Sequence, residues 1–104
     1  MNADHLNIVF DLDRTDPASP LSPALAKLLY DLREQLPMFV VYDRPSDFPE
    51  HVVARLWTTF PERPIRLIAK AEKVEAIRVF LDGCGLVHLD RQPGDHPSIL
   101  ETWL

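Results

Sequence analysis

The sequence predicts an α+β domain, a mixed β-sheet of about five to six strands carrying two helices. Three observations predict it. Apolar runs rich in Val, Ile, Phe and Trp outnumber the segments with helical periodicity. The two kinds of segment do not strictly alternate, as a parallel α/β protein requires. And 104 residues, 46% of them hydrophobic and 26% charged, can bury one core without disulfides, so 1–104 reads as a single domain. The alternative is a three-layer α/β arrangement reading β-α-β-α-β-α-β, which requires residues 50–60 to be helical.

Taken in order, Leu6 to Leu12 (LNIVFDL) is a short run of β-formers and predicts a strand. The run Asp11 to Asp16 follows it, then Pro17 to Pro20, a loop by composition. Ser22 followed by Pro23 reads as an N-cap with proline at the first helical position. From there Leu25, Leu28, Leu29, Leu32 and Leu36 keep the spacing of one helix face until Pro37. Met38 to Tyr42 (MFVVY) predicts the second strand. His51 to Thr59 is favoured as a strand, with Val53, Arg55 and Trp57 on one face; as a helix it would align Val52, Leu56 and Phe60. Pro61 to Pro64 reads as a loop and Ile65 to Ala69 as a strand. Glu72 to Leu81 is the second helix, with Gly83 suited to a left-handed cap. Strands at Leu86–Leu89 and Ser98–Trp103 complete the set.

Composition narrows the function. A net charge of −5 with eleven scattered basic residues argues against nucleic acid, whose phosphates need clustered Lys and Arg. No apolar run approaches the roughly 20 residues of a membrane span. The start, MNADHLNIVF, has neither the basic region nor the apolar core of a signal peptide. One cysteine, Cys84, excludes an intramolecular disulfide and suits a reducing, cytoplasmic setting, where it reads as a plain thiol.

The chain also contains an echo. Pro45-Ser46-Asp47-Phe48-Pro49 and Pro93-Gly94-Asp95-His96-Pro97 share a pattern, and each leads into a segment with a charge two places before a tryptophan, Arg55-x-Trp57 and Glu101-x-Trp103. An Asp between prolines can fold onto a nearby backbone N–H and stiffen the start of a strand. Two such turns at one rim could instead present Asp47, Asp95 and His96 to a ligand. Residues i and i+2 share a strand face, so if the two strands are neighbours, Arg55 meets Glu101 and the indoles of Trp57 and Trp103 lie side by side. These seven residues form the candidate binding set, for a protein partner or a second copy of the chain.

Two resemblances add to this. VVYDRPSDFPEHVVARLW, KVEAIRVFL and GLVHLDRQPGDHPSILETW resemble a group of small bacterial proteins without established activity. The likeness implies a sheet-plus-helix module over 38–104, with 1–37 as an added strand and helix. VFDLDRT resembles the first motif of haloacid-dehalogenase-type phosphohydrolases. That resemblance implies Asp11 as nucleophile, Asp13 as acid/base, Lys70 as the family's lysine and Mg²⁺ as cofactor. Arg14 stands where that family has glycine, and no acidic pair follows. The primary expectation is a non-catalytic binding module, the alternative a Mg²⁺-dependent phosphate-handling enzyme.

Overall fold

A computed structural model describes residues 8–14 and 23–104. The expected loop over 15–20 and the Ser22 cap lie outside these residues, as does the start of the first expected strand. The elements are β1 (Ile8–Asp11), α1 (Pro23–Asp31), β2 (Pro37–Asp43), β3 (Val52–Thr59), β4 (Glu62–Ala71), α2 (Val74–Gly83), β5 (His88–Asp90) and β6 (Ile99–Trp103). The strands form one six-stranded sheet in the order β1-β4-β3-β2-β6-β5. Only β1 and β4 run parallel; the other four pairings are antiparallel. This is the mixed sheet of an α+β domain. Residues 52–59 are extended, so the helical alternative for that stretch fails, and the alternating three-layer arrangement fails with it. Their β-branched and aromatic residues fit a pleated, half-buried surface.

Both helices pack on the same face of the sheet. Leu25 of α1, Leu32 just after it, and Ile77 and Leu81 of α2 join Phe39, Val41, Ala54, Leu56, Leu67, Ala69 and Trp103 in one buried cluster. Phe80 meets Phe39 edge-on at 6.2 Å and Phe10 at 6.4 Å between ring centroids. The sheet's opposite face carries Val9, Met38, Val40, Tyr42, Val53, Arg55, Trp57, Ile68, Lys70, Leu89 and Thr102, as the strand registers dictate.

Four local expectations are corrected. The first helix stops at Asp31; a 3₁₀ turn over Arg33–Gln35 follows, and Leu36 takes φ 52° instead of extending the helix face. Pro37 ends the helix here, since the residue before proline is disfavoured in the right-handed helical region. The expected loop over 61–64 is a tight hairpin instead, with β4 starting at Glu62. Pro64 is tolerated there because β1 pairs only with residues 67–70, leaving that stretch of β4 without a second neighbour among the described residues. Gly83 is the last residue of α2, and the left-handed residue is Gly85 at φ 78°. Its N–H donates to the Asp82 carbonyl and the Leu86 N–H to the Leu81 carbonyl, the paired bonds of a Schellman motif. The fifth strand is displaced, running over His88–Asp90 rather than from Leu86.

Candidate functional site

The two turn-and-strand segments flank β2, one on each side. Asp43 at the end of β2 pairs with Val52 and bonds to Ser98, so both Pro-x-Asp-x-Pro turns sit at one rim of the sheet. Their carboxylates do different things. Asp95 accepts the Gln92 N–H at 2.9 Å, a bond within its own turn. Asp47 instead accepts from Arg55 Nη2, 2.6 Å from each carboxylate oxygen. His96 stays local, with Nδ1 2.8 Å from the Ser98 hydroxyl.

The expected meeting of Arg55 with Glu101 does not occur, and register explains why. Arg55 lies opposite Val40, whereas Glu101 lies opposite Val41. Trp57 likewise faces Met38, whereas Trp103 faces Phe39. Successive residues of β2 point to opposite faces, so this one-residue offset sends one pair to each side of the sheet. Arg55 and Trp57 stand on the helix-free face. Glu101 and Trp103 are buried beneath α2.

Glu101 is 1% exposed, yet each of its oxygens is served. Arg78 of α2 donates through Nε at 3.0 Å and Nη2 at 2.7 Å to Oε1, and the Trp103 indole donates to Oε2 at 2.7 Å. His88 Nε2 lies 3.5 Å from Oε1, and its ring meets the Trp103 ring edge-on at 5.3 Å. Burial pushes the Glu101 carboxyl up, but the hydrogen bonds from Arg78 and Trp103 and the nearby charges of Arg78 and His88 outweigh it. The carboxyl is held below its ordinary range. Sequence reasoning missed Arg78 and His88, since no spacing links α2 to β6. Cys84, also partly buried, has its thiol pushed up to about 11 by burial, which keeps it protonated near neutrality.

The helix-free face is assembled differently. Val40, Val53 and Ile68 form its floor and are buried although no described helix covers them. Two cation–ring contacts lie on this side: the Arg55 guanidinium lies 5.5 Å from the Tyr42 ring centroid, and the Lys70 ammonium 5.6 Å from that of Phe48. Here too lies a shallow depression of about 370 Å³, lined by Arg55, Leu56, Trp57, Pro64, Ile65, Arg66 and Ile68. The Trp57 indole N–H is buried and has no hydrogen-bond partner among the described residues. Arg66 was also missed, although it shares the alternation of Ile68 and Lys70 along β4.

The residues matched to the phosphohydrolase motif lie where β1 ends. Asp11 Oδ1 accepts the Asp13 N–H at 3.2 Å, and its other oxygen lies 3.6 Å from Arg14 Nε. Asp13 accepts the Glu72 N–H at 2.9 Å, tying this turn to the start of α2. Lys70 pairs with Asp11 in the β1–β4 ladder. Among the described residues no group of three or more His, Cys, Asp or Glu side chains could hold a metal ion. No described helix is long and apolar enough to cross a membrane. No family model, curated protein or solved structure matches the chain.

Proposed function

We propose that the chain is a non-catalytic, cytoplasmic binding module that docks a protein partner, or a second copy of itself, on the helix-free face of its sheet. One observation carries this: toward its edges that face keeps large apolar side chains in solvent, with no described helix over them. Val9 is 43% exposed at one edge, and Val87, Leu89 and Leu104 are 65%, 42% and 47% exposed toward the other. Mutual Val87–Leu104 backbone bonds and the Leu89–Thr102 pairing align the last three on the same side as Val40. Exposed apolar side chains that adjoin one another, as Val87, Leu89 and Leu104 do, are the kind of surface that interaction sites use. Asp11 and Asp13, spent on turn hydrogen bonds, serve the link between β1 and α2 in this reading.

A photo-crosslinking amino acid placed at Leu89, and in a second variant at Val79, tests this. Val79 is a matched control, apolar and 63% exposed on the outer side of α2. Discrete adducts, homodimer included, are expected from Leu89 and not from Val79. Absence of adducts from Leu89, or the same adducts from both positions, ends the reading.

A further inference from the structure

Resting on that reading of the sheet face, the depression beside Trp57 narrows the partner's chemistry. We propose that it seats a carboxylate carried beside an apolar side chain of a polypeptide partner, with the Arg66 guanidinium and the Trp57 indole N–H as its recognition groups.

The polar side chains lining the depression are Arg55, Trp57 and Arg66, and all three are donors without acceptor capacity. What they call for is an acceptor-rich anion. Arg55 is already met by Asp47. The exposed Arg66 guanidinium has no ion-pair or hydrogen-bond partner among the described residues. The Trp57 N–H is a covered donor with no partner, a rare state in folded proteins and one that an incoming acceptor relieves. Arg55 stands two residues before it on the same strand face, and Arg66 lines the same hollow.

Charge points the same way. The chain carries −5 overall, yet Arg55, Arg66 and Lys70 cluster on this side of the sheet. The acidic groups there are Asp47, held by Arg55, Asp11, beside Arg14, and Glu62, at the hairpin end of β4 two places before Pro64. Pro64 and Ile68 make the remaining walls apolar, which suits a carboxylate with an aliphatic neighbour over an inorganic anion. A volume of about 370 Å³ holds one or two side chains. The exposed Val87, Leu89 and Leu104 lie outside it on the same face, giving a polypeptide further contacts that a small acid does not reach.

The two indoles make the test self-controlled. In ¹H–¹⁵N spectra, the Trp57 indole resonance reports the depression and that of Trp103, already bonded to Glu101, the opposite face. The probe is acetyl-Ser-Leu-Glu-Leu-Ser-amide, compared with its Leu-Gln-Leu counterpart and with free isovalerate. We expect a saturable shift of Trp57 alone, weaker by about tenfold with the Gln peptide and in Arg66→Ala, as loss of a charge-assisted hydrogen bond implies. Equal binding of the Glu and Gln peptides, an unaffected Arg66→Ala variant, or no Trp57 shift at millimolar peptide overturns the proposal. Isovalerate binding as tightly as the peptide also overturns it, in favour of a small-acid site. Crosslinks at Leu89 without peptide binding remove this inference and leave the docking face standing; peptide binding without crosslinks does the reverse.

Discussion

Glu101 shows what a single buried residue does here. A carboxylate out of water is tolerable only when its oxygens are hydrogen-bonded and its charge is met, and Arg78 and Trp103 supply both. Its folded-state pKa is depressed, so its contribution to stability is full above the ordinary carboxyl range and lost as pH falls through the lower folded value. Glu101→Gln keeps the shape and removes the charge. The variant should lose about 2–3 kcal/mol at neutral pH, at the modest end for a buried ion pair because Arg78 is half exposed and rehydrates. Urea titrations of both proteins across pH should show the gap constant above about pH 5 and closing below about pH 4. A gap that does not depend on pH would mean that the carboxylate's charge contributes nothing. That Glu101 is charged and two places before a Trp was plain in the sequence. That its partner is Arg78, not Arg55, was not, because the contact joins a helix to a strand far along the chain.

At the scale of elements, the chain's local chemistry was readable but its boundaries were not. Strand composition placed β2, β3 and β6 within a residue or two, and the Val74, Ile77, Leu81 spacing placed α2. The cap was misplaced by two residues, since both Gly83 and Gly85 suit a left-handed position and only the backbone path chooses between them. Alanine substitutions separate their roles. No atom lies within 4 Å of a Cβ built at either glycine, so backbone conformation alone decides the outcome. Gly85→Ala forces an L-residue into φ 78° and should cost about 1–2 kcal/mol. Gly83→Ala sits at a right-handed helical position and should be neutral or stabilising by up to about 1 kcal/mol. Midpoints of urea unfolding, with unchanged slopes, measure both. Equal effects would mean that the Schellman geometry is absent in solution.

Across the whole molecule, the sheet is strong at its centre and weak at one edge. β3 is paired on both sides, and its Val53, Ala54 and Leu56 are fully buried. β5 has three residues, all exposed, and a single neighbour among the described residues. Hydrogen exchange should therefore reach β5 by local opening, at least about a hundredfold faster than the amides of Val53–Leu56, which open only with global unfolding. Matching protection in the two strands would contradict this ordering, and would also mean that β5 is covered in solution. Composition and periodicity by themselves determined the class of fold, the place of its two helices and most strands, and the presence of two matched turn-and-strand segments. These follow from local propensity and burial pattern, which neighbouring residues decide among themselves. Which face each tryptophan occupies was decided only by tertiary structure. Arg55 and Glu101 hold equivalent places in the chain, but β2 runs between their strands and meets them one residue out of step. Because side chains alternate at every residue, that offset buries Trp103 under α2 and leaves Trp57 on the helix-free face.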